Sequence, residues 1–286
     1  MVLTSENYFS PKANMAYMSV SQFKSFEQCQ AAAMAELSGE YSREETPALL
    51  TGSYVDAYFE GTLDLFRAGH ANLFKRDGTL KAEYVKAEEI IKRIERDRFF
   101  MQQLAGRRQV IMTGKIADVA VKVKIDSLLP DRIVDLKIMK DFEPLYVPEQ
   151  GRLPWFEAWR YDLQGAVYQE VVRQNTGKRL PFYLAAATKE KETDLEVLEV
   201  EQELLDFELE RFTETVGRYD AVKKGILDAE RCEHCDYCKR TKVLTAARKS
   251  GDFVNECKTE KPDFNRAGPV WPNAGQKRLF VLPVSQ

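Results

Sequence analysis

Acidic and basic side chains interrupt two otherwise aliphatic segments in the middle of the chain. The first segment, DVAVKVKID, ends at Asp126, and the second, RIVDLKIM, carries Asp135 and Lys137. Side chains alternate across a strand, so Asp135 and Lys137 should share the face opposite Val134 and Leu136. The short loop SLLPDR predicts that the two strands are antiparallel neighbours. Both aspartates and the lysine are therefore expected to converge on one side of a sheet.

Two converging carboxylates repel each other unless a cation lies between them. Oxygen ligands of this kind suit Mg²⁺ or Mn²⁺. A lysine two residues beyond a ligand lies about 7 Å away along the strand, where it can orient or deprotonate a water without displacing the metal. This chemistry predicts hydrolysis of a phosphodiester. The pattern alone is more often a solvated strand face with a Lys–Asp surface pair.

Three further residues could bind a softer metal. The segment RCEHCDYCKR places Cys232, Cys235 and Cys238 in a C-x2-C-x2-C pattern, and the chain also has Cys29 and Cys257. Three thiolates at this spacing can surround one metal centre, but a fourth ligand is needed. An odd number of cysteines does not indicate a disulfide framework.

Composition excludes several classes of protein. The 286 residues are 44% hydrophobic, which is enough for a sizeable core, and their net charge of −3 does not indicate a general nucleic-acid binder. Two histidines, His70 and His234, leave little for a Ser-His-Asp hydrolase or a His-rich metal site. The chain has no P-loop motif, no apolar run long enough to span a membrane and no signal-peptide core, so a cytoplasmic location is expected.

The periodicity predicts helices followed by strands, then a helix and more strands. One helix is expected from Ser19 or Ser21 to about residue 37, another at Thr46 and Pro47, and a long charged helix over 81–104. The strand region 108–139 should break near Thr113-Gly114 and near Pro130-Asp131. We predict one α/β domain over residues 1–250 with a mixed sheet, and an extended tail over residues 251–286.

The acidic residues and two further motifs resemble a known family. Asp126 followed by VDLK is similar to the core of the PD-(D/E)XK nuclease superfamily. QGAVY, with Gln164 and Tyr168 on one helix face, resembles the Q-x-x-x-Y motif of its RecB/RecE-like exonuclease branch. GSYVDAYFEG stands at the family's first motif, but carries Asp56 where a histidine is usual. The resemblance implies a restriction-endonuclease-like core, with a mixed central β-sheet flanked by helices.

The resemblance also implies roles for individual residues. Asp126 and Asp135 would bind Mg²⁺ or Mn²⁺, assisted by Asp56 and the backbone carbonyl of Leu136. Lys137 would position or activate the attacking water, while Gln164 and Tyr168 would hold the nucleic-acid backbone or the lysine. The basic side chains that are candidates for phosphate contacts are Arg107, Arg108, Lys115, Lys122, Lys124 and Arg160.

The activity implied by the resemblance is that of a metal-dependent DNA exonuclease. Its substrate would be the ends of linear double-stranded DNA, degraded 5′→3′ on one strand in phage-type recombination beside a single-strand annealing protein. Some relatives form rings, so a homo-oligomer is compatible with the family. Two alternatives remain: a non-catalytic module that binds DNA ends or a partner protein, and a restriction-like endonuclease.

The cysteines also have a counterpart among RecB-like nucleases. Some of these proteins have one cysteine before the nuclease core and three after it, which together hold a [4Fe–4S] cluster. By this resemblance Cys29, Cys232, Cys235 and Cys238 would hold a cluster that joins the two ends of the core. A Zn²⁺ site with Cys29 or His234 as the fourth ligand is an alternative, as are free structural thiols. Cys257 is expected to have no role.

Overall fold

A computed structural model describes residues 1–43, 45–148, 150–247 and 249–251. These residues form two compact units, of which the first comprises residues 1–141 and 161–241. The second comprises residues 142–160 together with the described residues from 242 onward. The predicted tail after Gly251 and Cys257 lie outside the described residues, and the single domain over 1–250 stays a prediction.

The described chain contains helices and strands in the following order: α1 Pro11–Ala16, α2 Val20–Gln28, α3 Gln30–Ser38, α4 Pro47–Glu60, α5 Leu63–Gly69, a 3₁₀ turn Ala71–Leu73, α6 Ala82–Glu95, α7 Arg98–Gln103, β1 Arg107–Ile116, β2 Val119–Leu128, β3 Ile133–Met139, β4 Leu145–Val147, β5 Gly151–Leu153, α8 Trp155–Ala158, α9 Tyr161–Thr176, β6 Phe182–Thr188, β7 Leu195–Glu199, α10 Gln202–Lys223 and α11 Asp236–Arg240. The predicted helix starts at Ser19 and Thr46 are confirmed, since each side chain accepts a hydrogen bond from the backbone of its helix. Across these described elements, no helix combines the length and apolarity needed to cross a membrane.

The central sheet is mixed, as the sequence predicts. Its strand order is β1-β2-β3-β6-β7. Strands β1, β2 and β3 form an antiparallel meander, β3 and β6 are parallel, and β6 and β7 are antiparallel again. A parallel pair needs a long crossover connection, and α9 lies within the segment that joins β3 to β6. The predicted restriction-endonuclease-like α/β fold is confirmed.

Helices cover both faces of the sheet. On one face, α4 and α6 pack against β3 and β6 through a core that includes Tyr54, Ile90, Leu136 and Ala185. On the other face, α9 packs against β1, β2 and β6, and α10 packs against α9. Because Leu136 faces the first core, its neighbours Asp135 and Lys137 face the α9 side, as strand alternation requires.

The N-terminal helices join this second layer through aromatic contacts. The ring of Phe23 on α2 lies 4.5 Å from that of Phe212 and 5.2 Å from that of Tyr219 on α10, measured between centroids. Phe26 stacks on Tyr219 at 5.5 Å. Both phenylalanines are buried, so this cluster fixes α2 and the turn that follows it against the long helix.

The first hairpin turns at a different place from the predicted one. Strand β1 continues through Thr113 and Gly114, and the chain reverses at Ala117-Asp118, where φ is 48° and 62°. Two successive residues with positive φ match the right-handed twist of a tight hairpin. Gly114 packs closely against α9 and is not part of the turn, since a Cβ there would lie 2.6 Å from Gln174 Oε1.

Two predicted helices are each interrupted once. The N-terminal helix breaks at Cys29, whose φ of −167° and ψ of 112° are extended, and whose sulfur caps α3 by accepting from the amide of Ala32. The long charged helix ends at Glu95, and Asp97 caps the shorter α7 by accepting from the amide of Phe100. In both places a side chain provides a new N-cap, which makes a second helix start favourable.

The second unit contains elements that the periodicity did not reveal. Strands β4 and β5 pair as a short antiparallel hairpin. The ring of Trp155 on α8 lies 5.3 Å from that of Phe142 and 5.9 Å from that of Phe156. Strands of three residues are too short to give an alternating pattern in the sequence.

Candidate active site and cysteine centre

The sheet opens between β2 and β3 where the two predicted aspartates lie. The strands pair only at Ser127 with Val134 and at Leu128 with Ile133. At the next position, the amide of Leu136 donates to Asp126 Oδ2 at 3.0 Å, and no further backbone pairing is formed. The Asp126 carboxylate thus replaces a backbone carbonyl as the acceptor for the Leu136 amide, where the pairing of β2 with β3 ends. The opening places Asp126 and Asp135 at the base of a cleft, as their converging faces predicted.

Asp135 is the most enclosed of the acidic side chains in this cleft, with 1% of its surface exposed. Gln164 on α9 donates from Nε2 to Asp135 Oδ1 at 2.6 Å. The ammonium of Lys137 forms an ion pair with Asp135 Oδ2. Both carboxylate oxygens thus contact residues that were predicted from the sequence. The D-x-K strand and the Q-x-x-x-Y helix therefore meet at Asp135.

Asp56 and Asp126 have the electrostatics of a site that fits a cation. Burial, and then the neighbouring Asp135, raises the pKa of Asp126 to about 7, although Lys137 acts in the opposite direction. Burial, followed by repulsion from Asp126, raises the pKa of Asp56 well above its usual range. Asp56 Oδ1 is buried and has no hydrogen-bond partner among the described residues. An unpartnered oxygen beside two further carboxylates fits a hard divalent cation.

Tyr161, which the sequence reasoning missed, lies against the lysine. The ammonium of Lys137 lies 4.9 Å from the centroid of the Tyr161 ring, and that of Lys24 lies 5.2 Å from it. Burial lowers the pKa of Lys137, but the negative charges of Asp135 and Asp126 raise it by more. The pKa of Lys137 therefore lies above its usual value. Lys137 is therefore held as an ammonium between a carboxylate and an aromatic face. Tyr161 is three residues before Gln164, so helical spacing could have revealed it.

Gln109 is the second residue that the sequence did not indicate. It lies in β1 at the position that faces Asp126, and its Nε2 donates to Asp126 Oδ1 at 3.3 Å. Its φ of 52° is in the left-handed region, which is uncommon for a residue other than glycine. A backbone of this kind is typically retained where the surroundings require it, as they do at active sites.

Tyr168 lies on the same face of α9 as Gln164, as their spacing predicts. Its hydroxyl donates to the backbone carbonyl of Lys124 at 3.0 Å. Burial raises the pKa of Tyr168 well above its usual range. The described contacts therefore join Tyr168 to β2, whereas Gln164 contacts Asp135, and the predicted role of Tyr168 with nucleic acid stays a prediction.

The cleft above these residues has a volume of about 550 Å³. Its walls include the turn at residues 5–10, named here the N-terminal turn, together with α2, α4, β2, β3 and α9. The sequence-predicted residues that line it are Asp56, Asp126, Asp135, Leu136, Lys137, Gln164 and Tyr168. The structure brings all of them together, and the metal-binding carbonyl of Leu136 stays a prediction.

Two of the predicted phosphate contacts, Lys122 and Lys124, line the same cleft. Lys122 is 1% exposed, and its ammonium donates inward to the carbonyl of Tyr8 and to Asn14 Oδ1. Burial lowers its pKa to about 8. Lys124 lies 3.4 Å from Glu60 Oε1 and remains partly exposed. Lys124 is thus placed to contact a ligand, whereas Lys122 fixes the N-terminal turn.

The remaining basic candidates are dispersed. Arg108 lines a small cavity next to the cleft, together with Asp126. Arg107 and Lys115 are exposed towards opposite ends of β1, and Lys115 lies beside the hairpin turn. Arg160 belongs to the second unit. The six residues therefore do not form one continuous basic surface on the first unit.

The four predicted cysteines form one cluster in the first unit. Their sulfurs all lie within 4.8 Å of one another, although Cys29 is more than 200 residues from Cys238. Cys29 Sγ lies 3.6 Å from Cys238 Sγ, and Cys232 Sγ lies 4.0 Å from it. The structure thus brings the Cys29 turn next to the loop after α10.

Backbone contacts hold these two segments together. The amide of Ala31 donates to the carbonyl of Glu230 at 3.0 Å, and the amide of Glu230 donates to Gln30 Oε1 at 3.1 Å. The sulfur of Cys232 accepts from the amides of His234 and Cys235 at 3.4 and 3.3 Å. Amide donors around sulfur stabilise thiolates, as is typical of metal centres.

The donor set fits a thiolate-bound metal. His234 is exposed and is not part of the cluster, so Cys29 supplies the fourth sulfur. A single tetrahedral ion with metal–sulfur bonds of about 2.3 Å requires sulfurs about 3.8 Å apart, which the observed spacing matches. A [4Fe–4S] cluster binds each thiolate to a different iron and would need the sulfurs about 6 Å apart. The sulfur positions therefore match a single ion, and a [4Fe–4S] cluster would fit the same four thiolates only if the side chains rotated outward.

Comparison with known proteins supports this architecture. Residues 19–241 match a family model described as "PDDEXK-like domain of unknown function (DUF3799)". The chain is also similar to a crystal structure from Eubacterium rectale described as "Putative exonuclease". The two are 44% identical with a TM-score of 0.85, over 89% of this chain and 98% of that one. No curated protein matches the chain significantly.

The matched region contains every element that builds the cleft except the N-terminal turn and α1, which carries Asn14. It begins at the N-cap of α2, includes both aspartates, the lysine and the Q-x-x-x-Y helix, and ends after the C-x2-C-x2-C loop. The alignment with the Eubacterium rectale protein covers nearly the whole of that chain. The chain therefore belongs to the PDDEXK-like family of the PD-(D/E)XK nuclease superfamily.

Proposed function

We propose that this protein is a divalent-metal-dependent exonuclease that hydrolyses linear double-stranded DNA. The observation that carries the proposal is the convergence of Asp56, Asp126 and Asp135 beside Lys137, with Asp56 Oδ1 buried and unpartnered. Family membership and the similarity to a structure described as an exonuclease support a nuclease. Three converging carboxylates can bind a divalent cation, and a lysine beside them can position the water that hydrolyses the phosphodiester.

The carboxylates of Asp56, Asp126 and Asp135 would hold Mg²⁺ or Mn²⁺, with the carbonyl of Leu136 as a further oxygen donor. The cation would stabilise the negative charge that develops on the scissile phosphate. Without a cation, repulsion and burial keep the pKa values of Asp56 and Asp126 high. These residues would therefore bind a cation in exchange for protons.

Lys137 would position the attacking water or a phosphate oxygen through its ammonium. Asp135 and Tyr161 restrict where that ammonium can lie. Gln164 holds the other oxygen of Asp135, which leaves the carboxylate in one orientation. The catalytic groups would thus be arranged before the substrate binds, which lowers the barrier of the reaction.

The finer parts of the proposal come from the family resemblance. They are 5′→3′ degradation of one strand, a role in phage-type recombination and a single-strand annealing protein as partner. The cysteine centre would be structural, with a [4Fe–4S] cluster or Zn²⁺ joining Cys29 to the loop after α10. A thiolate-bound metal outside the cleft has no part in phosphodiester hydrolysis.

Digestion of matched linear and covalently closed circular duplexes tests the proposal. With Mg²⁺ or Mn²⁺, an exonuclease should degrade the linear duplex and leave the closed circle intact. EDTA should abolish the reaction, and Ca²⁺, which is larger and coordinates more loosely, should not support it. Cleavage of the closed circle would indicate an endonuclease, and an intact linear duplex would indicate a non-catalytic module.

A further inference from the structure

The N-terminal turn places an exposed aromatic ring in the catalytic cleft. Phe9 lines the cleft and is 68% exposed, while the adjacent Tyr8 is buried. The ring of Phe9 lies 4.9 Å from that of Tyr8 in an edge-on arrangement. A single exposed ring is ordinary on a protein surface, but this ring faces the cleft that holds the candidate catalytic residues, where a bound ligand could stack on it.

Hydrogen bonds hold the backbone of the turn that carries the ring. The carbonyl of Phe9 accepts from Asn14 Nδ2 at 3.1 Å, and Ser10 caps α1. Beneath the turn, the ammonium of Lys122 lies 4.4 Å from the centroid of the Tyr8 ring and donates to the carbonyl of Tyr8. The turn that carries the ring would therefore lose little backbone conformational entropy when a ligand stacks on the ring.

The ring also lies close to the metal-binding residues. The ammonium of Lys124 lies 5.6 Å from the centroid of the Phe9 ring. Lys124 and Asp126 share a strand face two residues apart, about 7 Å. The Phe9 ring, Lys124 and Asp126 therefore line one cleft, where a single DNA strand could contact all three.

We propose that Phe9 is a stacking site for a nucleobase of the DNA strand that enters the cleft, with Lys124 contacting a phosphate of the same strand. This inference rests on the proposed function and specifies how the DNA strand is held. A phenyl face stacks on any base, so the site requires a base without selecting its sequence. The terminal nucleotides of the duplex would then be separated from their partners as they enter the cleft.

Binding of short blunt duplexes in Ca²⁺, with 2-aminopurine placed at each of the terminal positions in turn, tests this site. Stacking on Phe9 should quench the emission at one position with the wild type and with Phe9→Trp, but not with Phe9→Leu. Phe9→Leu should bind about tenfold more weakly. Phe99→Leu is the matched control, because Phe99 is 60% exposed and does not line the cleft.

A duplex with an abasic site at the quenched position completes the test. The wild type and Phe9→Leu should bind it equally, because no base is left to stack. If Phe9→Leu binds the normal duplex as tightly as the wild type does while the wild type digests linear DNA in Mg²⁺, the stacking site is wrong and the proposed function stands. If the wild type digests no DNA, both are wrong.

Discussion

Two residues that share the Lys137 ammonium determine where it lies. Asp135 accepts the ion pair, and the ring of Tyr161 lies 4.9 Å away on the helix that also carries Gln164. The carboxylate is also a proposed metal ligand, so binding of a cation would weaken the ion pair. The aromatic face would then be the contact that keeps the ammonium in place.

Tyr161→Leu should lower kcat about tenfold and change KM little, because the ring acts on the catalytic lysine and not on DNA binding. Tyr161→Phe should retain most of the activity, since it keeps the aromatic face. Steady-state digestion of a linear duplex by both variants, with melting temperatures measured alongside, checks this prediction. An equal loss in Tyr161→Phe would show that the hydroxyl, which contacts Met139 Sδ at 3.5 Å, is what counts.

Lys122 should make stability increase with pH. Its folded pKa of about 8 lies below the unfolded value of 10.5, so the folded state disfavours the proton that the unfolded state binds. This penalty is fully present below pH 8 and is relieved as pH rises towards 10.5. The free energy of unfolding of the wild type should therefore rise relative to Lys122→Met across pH 8–10, by on the order of 1–3 kcal/mol. Urea titrations at several pH values measure this difference, and a constant difference would contradict it.

The elements show which parts of the site the sequence could predict. Asp126, Asp135 and Lys137 were predictable because strand alternation and a short loop fix their relative faces, and Gln164 because helical spacing aligns it with Tyr168. These rules act within one element or between neighbours. Gln109 was missed because the hairpin turn was predicted at Thr113-Gly114, which gives the wrong register with Asp126. The role of Lys122 could not be found, because it depends on contacts with the distant N-terminal turn and α1.

Gly165 allows helix α9 to pack close to strand β6 of the sheet. A Cβ on Gly165 would lie 2.4 Å from the ring of Phe182, which is fully buried and cannot move away. Gly165 directly follows Gln164, so its close approach brings Gln164 within reach of Asp135. The close packing that Gly165 permits therefore keeps Gln164 where it can hold the Asp135 carboxylate.

Gly165→Ala should destabilise the protein by about 1–3 kcal/mol, because the methyl group forces α9 away from β6. Nuclease activity should fall at temperatures where the variant is still folded, since Gln164 moves with the helix. Gly217→Ala on α10 is the matched control. Nothing lies within 4 Å of its added methyl group, and an alanine there should stabilise the helix slightly. Equal stability of the two variants in urea titration would contradict the packing argument.

At the scale of the whole molecule, the cysteine centre joins segments from opposite ends of the nuclease core. Cys29 lies between α2 and α3, and the other three cysteines follow α10. A link across about 200 residues restricts the unfolded chain and should stabilise the fold by on the order of 4–5 kcal/mol. Because α2 also forms a wall of the cleft, the centre would support the active site indirectly.

Cys29→Ser should remove the bound metal and lower the melting temperature markedly, whereas Cys257→Ser, outside the described residues, should change neither. Metal analysis of protein purified without oxygen checks this. Iron with broad visible absorbance would identify a [4Fe–4S] cluster, and colourless protein with one equivalent of zinc would identify a single ion. Metal-free wild-type protein with the same melting temperature as Cys29→Ser would contradict a shared centre.

Digestion of a linear duplex in Mg²⁺ shows whether the carboxylates and Lys137 in the opened sheet form a nuclease active site. Lys137→Ala and Asp135→Ala should remain folded and lose at least a hundredfold in rate, because each removes a group that acts on the reaction itself. Lys178→Ala, which removes an exposed lysine at the end of α9, should digest at the wild-type rate. Near-normal digestion by Lys137→Ala or Asp135→Ala would contradict the account.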